Sequence, residues 1–160
     1  MGTKLPPPPK EVPRCASMDR LAPAFRRAIE AVLADVEQER VFETLRTDER
    51  QQFLYGFGRE YDDGRGPVTA AKTAMNGWHF YGLAVDIVQD DKDPWVAPAS
   101  FWQSLGLAYE RHGCVWGGRW KRVDLPHGQW GGCTVSPDGY IRELFNRDGI
   151  EAVWGEVNAW

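Results

Sequence analysis

Cysteine is scarce in this chain and poorly spaced for structural work. Cys15, Cys114 and Cys133 are the only three in 160 residues, and no two form a CxxC pair. That argues against a cysteine-built zinc site and against a disulfide framework. A single Cys114–Cys133 bridge stays open, although small inert thiols are the expectation. Long apolar runs are missing too, and none approaches the roughly 20 residues that span a bilayer. Positive charge is not in excess: 19 Lys and Arg stand against 23 Asp and Glu, for a net charge of −4 and a pI near 5.4. A general nucleic-acid partner is therefore not expected. The opening stretch MGTKLPPPPKEVPR has no apolar core of the kind a secretory leader carries, so synthesis is expected to finish in the cytoplasm.

What the chain does have is enough apolar surface for one domain. Hydrophobic residues make up 42% and eight are tryptophan. Four consecutive prolines, Pro6 to Pro9, mark residues 1–14 as a flexible, polyproline-II-like arm. Residues 15–160 show no repeat or second linker and are expected to form a single domain.

Phe25, Ile29, Val32, Leu33 and Val36 recur at helical spacing and predict a helix over roughly 21–37. Residues 41–45 read as a short strand, and 47–55 as a helix capped by Thr47 or Asp48. A strand is predicted from Tyr81 to Val88, a helix from Phe101 to Arg111, and a helix start at Ser136-Pro137-Asp138, with a break near Gly149. Gly113, Gly117 and Gly118 divide the intervening stretch into turns and short extended pieces. The fold class expected is α+β, a small antiparallel sheet with flanking helices and the functional site on the sheet.

Two imidazoles and one carboxylate form a suitable catalytic metal set, because three protein ligands leave a position free. His79, Asp86 and His127 supply those types, with His79 before the strand and Asp86 within it. A bend or bulge at Gly82 would let both face one pocket. Spacing alone leaves the alternative of a structural, hydrogen-bonded histidine open. Asp124 lies three residues before His127, with the restricting Pro126 between them. Such a turn can aim one group at a metal and another at its water, or can simply be a capped turn beside a buried histidine. His112, at a helix end, suits a cation complementing the dipole and is left out.

Four blocks in order resemble the M15 metallopeptidases, most closely the L-alanyl-D-glutamate endopeptidases of phage endolysins and bacterial cell-wall hydrolases. They are Thr44-Leu45-Arg46-Thr47-Asp48-Glu49-Arg50-Gln51 with Leu54-Tyr55 and Gly58-Arg59; Val68-Thr69-Ala70-Ala71-Lys72; His79 to Asp86; and Trp116-Gly117-Gly118-Arg119-Trp120 followed by Asp124 to Gln129. The resemblance implies zinc held by His79, Asp86 and His127, with Asp124 as general base and Arg46 as a cation near the reacting carbonyl. Gln51 and Trp78 are substrate-side candidates; the alternatives are that Gln51 buttresses Arg46 or is a plain helix-face residue, and that Trp78 is packing. Gly77 stands where the family carries serine, which loosens the inference about substrate.

The implied activity is cleavage of peptidoglycan stem peptides, at the L-Ala–D-Glu bond in the first instance. The alternatives are a D-alanyl-D-alanine carboxypeptidase or dipeptidase of the same family, and a zinc-stabilised wall-binding module without catalysis. A monomer acting on the cell wall after holin-type release completes the expectation.

Overall fold

A computed structural model describes residues 4–160, so the first three residues of the proline-rich arm lie outside the described part. Helical spacing near the N-terminus becomes α1 (Pro23–Asp35), which starts on a proline whose missing N–H costs nothing in a first turn. It is shorter than predicted at both ends, because Leu21 and Val36 adopt extended backbone. Phe25, Ile29 and Val32 are fully buried beneath it. Strand β1 (Glu39–Glu43) begins and ends two residues before the predicted one, which leaves Thr44 to Arg46 free of the sheet. Helix α2 (Asp48–Gly56) is capped by Thr47, whose side chain accepts from the Arg50 N–H.

The predicted strand from Tyr81 is corrected at its start. Trp78–Tyr81 is a 3-10 turn, and β2 runs only from Ala84 to Gln89. Gly82 makes the difference: at φ +67° it takes the left-handed conformation and donates its N–H back to His79 O. The bend expected there is thus a turn terminus. A register shift lies instead in β1, between Val41 and Glu43.

Helix α3 (Ala99–Arg111) leads into β3 (Cys114–Trp116), and β4 (His127–Trp130) follows the glycine-rich turns. The four strands form one antiparallel sheet in the order β1-β2-β4-β3. Alternation gives its two faces different tasks. Val85, Ile87 and Gly128 face α3: a Cβ on Gly128 would collide with the Tyr109 ring, and the Tyr109 hydroxyl donates to Pro126 O at 3.0 Å. The opposite face carries Glu43, Asp86 and His127 in one cross-strand row.

Helices α4 (Gly139–Asp148, capped by Asp138) and α5 (Ile150–Glu156) break at Gly149, which has φ +83°. Two indole N–H groups tie this end to the body, Trp154 to Tyr81 O and Trp130 to Val157 O, both at 2.7 Å. Both late cysteines are free thiols; burial pushes Cys114 up to about 12 and Cys133 up as well. His112 ends α3 with its Nε2 2.7 Å from Asp35.

Hydrogen bonds join the described part of the arm, and Cys15 after it, to the body. Asp62 N–H donates to Pro6 O at 3.0 Å, Arg50 to Val12 O at 2.8 Å, and Thr44 N–H to Cys15 O at 2.7 Å. The Arg14 guanidinium lies 4.0 Å from the centre of the Phe42 ring.

Gly82 offers a direct test of how the His79 turn is set. A Cβ there would sit 2.4 Å from Arg20 O, on a backbone that L-residues seldom adopt. Gly82→Ala should lower unfolding free energy by roughly 1–3 kcal/mol. Urea denaturation checks this, and an unchanged midpoint would contradict the packing described.

Candidate active site

Asp86 on β2 is the direct cross-strand partner of both Glu43 on β1 and His127 on β4. The pleat therefore presents all three side chains on one face without help from any loop. His79 joins them from the 3-10 turn that Gly82 closes. The donor atoms of His79, Asp86 and His127 all lie within 4.8 Å of one another. His79 Nε2 is 3.4 Å from Asp86 Oδ2, and His127 Nδ1 is 3.4 Å from Asp86 Oδ1.

Each imidazole is held from behind. His79 Nδ1 donates to Thr44 O at 2.8 Å, and His127 Nε2 donates to Gln129 Oε1 at 3.0 Å. The nitrogen carrying the proton is thereby turned away, and the lone pair of the other nitrogen faces Asp86. Gln129 is itself oriented, because its amide donates to Thr134 O at 2.8 Å. Both histidines are buried. Two neutral imidazoles and a carboxylate, converging with their outer hydrogen bonds satisfied, fit a divalent transition metal.

Burial works against ionised Asp86, but His79 and His127 outweigh it and hold the carboxyl well below its usual range. Burial likewise opposes a proton on His127, yet Asp86 and then Asp124 raise its pKa. Among the described residues this is the one cluster of three or more His, Cys, Asp or Glu side chains that could hold a metal ion.

Asp124 stands on the loop before β4, half-exposed, with Oδ2 3.9 Å from His127 Nδ1. Its carboxyl is raised, first by burial and then by the charge of Asp86. The Trp-Gly-Gly segment explains how the loop is set. Trp116 packs on Gly106 and Gly118 and donates its indole N–H to Leu125 O at 2.8 Å. Asp124 N–H donates to Gly117 O at 3.0 Å, and a Cβ on Gly117 would strike the Asp124 carbonyl at 2.5 Å.

Arg46 is not a surface cation paired with Asp48 or Glu49. Its guanidinium is mostly buried, with Nη2 2.6 Å from Glu43 Oε2 and 3.4 Å from Asp86 Oδ2, and Nη1 donates to Gln51 Oε1 at 3.2 Å. Despite burial, which lowers it, the charges of Glu43 and Asp86 raise its pKa. Glu43 Oε1 also accepts from Arg50 Nε at 3.2 Å, so one buried carboxylate spans two arginines.

Gln51 buttresses Arg46 and pins the following loop through Ala71 O at 2.7 Å and Thr69 Oγ1 at 3.1 Å. Trp78 is buried, with its indole N–H on Thr134 O at 2.8 Å. The Trp120 ring lies 5.0 Å from that of His127. Gly77 adopts extended backbone where a Cβ would meet nothing closer than 3.8 Å, so serine would fit and the glycine leaves added room.

Glu43, Thr44 and Gln129 belong to the site although residue type and spacing did not mark them for it. Gln129 carried a signal, since it stands two residues after His127 in a strand and must share its face. Thr44 acts through its carbonyl, which side-chain identity does not reveal.

Glu43, Arg46, His79, Asp86, Asp124, His127 and Gln129 line an open cleft of about 910 Å³ that extends to Phe42 and Trp95 and to Val135 and Ser136. Residues 70–130, which include His79, Asp86, Asp124 and His127, match an M15 peptidase family model described as D-alanyl-D-alanine carboxypeptidase. No curated protein sequence matches significantly. Among solved structures, the L-Ala D-Glu endopeptidase ChiX of Serratia marcescens superposes with a TM-score of 0.55 at 22% identity, covering 76% of this chain and 91% of that one. That likeness carries the fold, and the family match carries the segment that builds the cleft. Over residues 70–130, which carry His79, Asp86, Asp124 and His127, the chain is similar to the M15 peptidases.

Proposed function

We propose that this chain is a zinc-dependent endopeptidase of peptidoglycan stem peptides, with the L-Ala–D-Glu bond as its target. The observation that carries the reading is the His79–Asp86–His127 cluster with Asp124 and Arg46 beside it in one open cleft. The choice of bond rests on the fold shared with the Serratia enzyme. The family model's own description keeps a D-alanyl-D-alanine carboxypeptidase as the second reading.

When bound by His79, Asp86 and His127, zinc would supply Lewis-acid polarisation of the scissile carbonyl and of water. Asp124 takes the proton from the attacking water and returns it to the departing amine. Its raised pKa suits both halves of that exchange, because the carboxyl holds a proton more readily than an ordinary aspartate. Arg46 is already fixed by Glu43 and Gln51 and stabilises the oxyanion as it develops. Gln51 and Trp78 border the substrate's path. We place the monomeric enzyme in cell-wall lysis, reached by holin-type release; an Asp124 poised for turnover speaks against a purely binding module. No described helix is long and apolar enough to cross a membrane.

Defined stem peptides digested with and without chelator, with products weighed by mass spectrometry, test the activity. A freed L-Ala end is expected, abolished by chelator and restored by zinc. Loss of a terminal D-Ala would select the second reading.

Asp124→Ala should keep one zinc per chain and lose turnover by roughly 10²–10⁴, whereas His127→Ala should lose the metal itself. Near-normal rates for Asp124→Ala would refute the assigned base.

Metal retention should also depend on pH. Protonated His127 cannot ligate, and its pKa is raised, so affinity should fall with acidification from a higher pH than an unperturbed imidazole would give. Zinc titrations by calorimetry across pH check this.

A further inference from the structure

The proline arm is a sequence feature that the proposed reaction leaves without a task, and its position is specific. Pro8 and Pro9 line the same cleft as Arg46, Asp124 and the two histidines. They are slung between two anchors. On one side Asp62 N–H holds Pro6 O at 3.0 Å. On the other, Arg50 Nη1 holds Val12 O at 2.8 Å and Glu11 Oε1 at 3.3 Å, while its Nε sits on Glu43, the carboxylate that also grips Arg46. Consecutive prolines cannot shorten the span between these anchors, because each ring locks its own φ.

The geometry points to Pro8 and Pro9 as a wall of the substrate subsite, a specificity-determining surface for the peptide that enters the cleft. This rests on the proposed peptidase function and extends it to where the substrate lies. The arm borders the cleft without filling it. No hydrogen bond joins residues 4–14 to His79, Asp86, Asp124, His127 or Arg46 among the described residues, and about 910 Å³ remains open with the arm in place.

Proline chemistry decides what such a wall accepts. Without N–H groups it cannot add to a peptide as another strand; it offers ring faces and carbonyl acceptors. Pro9 is exposed and Pro8 half-buried, so both surfaces are available to a ligand. An extended peptide with small apolar side chains and free backbone N–H donors matches that surface, and the alanines of a stem peptide have this character.

The test uses the full chain with Pro8→Gly and Pro9→Gly together. KM and kcat are measured on a defined stem peptide, alongside peptide binding followed through the cleft tryptophans. KM and the dissociation constant should both rise roughly tenfold, since burial of a few apolar carbons contributes on the order of a kcal/mol. Bound zinc and kcat should stay near those of the unaltered chain.

An unchanged KM and dissociation constant would make the arm a passenger. A rise in kcat/KM would make it a plug. Either overturns the inference while leaving the peptidase reading intact. Binding without cleavage by the unaltered chain would sink the catalytic reading, and the shift in dissociation constant would still decide the wall. An unaltered chain that neither binds nor cleaves the peptide overturns both.

Discussion

Orientation of two imidazoles about one carboxylate is the constraint on which the site depends. Thr44 O and Gln129 Oε1 each take the proton of one histidine, so that both lone pairs converge on Asp86. Without either hydrogen bond, the ring could turn or change tautomer, and the buried cluster would present a proton where a ligand atom is needed. Both acceptors are placed by the sheet. Thr44 immediately follows β1, and Gln129 is two residues along β4 from His127. Strand register and the geometry of the cluster are therefore one requirement.

A second layer of charge surrounds this cluster. Glu43, Arg46, Arg50 and Asp86 form a chain of ion pairs that is largely sealed from solvent. Taking such groups out of water is costly, and the cost is offset only when each partner is matched and hydrogen-bonded. Gln51 and the Val12 carbonyl supply the additional hydrogen bonds. The result is an arginine whose position is fixed by its ion pairs and by Gln51. Because Arg50 also holds the arm, the outer wall of the cleft and the cation inside it share one buried carboxylate.

Glycine and tryptophan do the complementary work on the opposite side. Gly106, Gly118 and Gly128 admit the rings of Trp116 and Tyr109 at distances no other residue would allow, and those rings seat the turn carrying Asp124. Asp124 is placed by packing, while Asp86 and His127 are placed by backbone pairing. Helices α4 and α5 close the far end, with Trp154 and Trp130 donating to carbonyls that would otherwise be buried without partners.

Much of this is legible in the sequence. The period of Phe25, Ile29 and Val32 specifies α1, Thr47 specifies the start of α2, and Asp138 that of α4, because caps and amphipathic faces are local. His79, Asp86, His127, Asp124 and Arg46 are also readable as candidates from residue type and ordered motifs. Their convergence is not local. It follows from the β1-β2-β4-β3 order, which aligns Glu43, Asp86 and His127 across strands distant in sequence, and from the left-handed Gly82 that ends a turn where alternation suggested a strand. Glu43, Thr44 and Gln129 acquire roles only there, since a carbonyl or a buried acid has no signature of its own. The proline run by itself specified an extended arm; that the arm lies along the cleft was decided by Arg50 and Asp62, whose donors are in position only once the chain has folded.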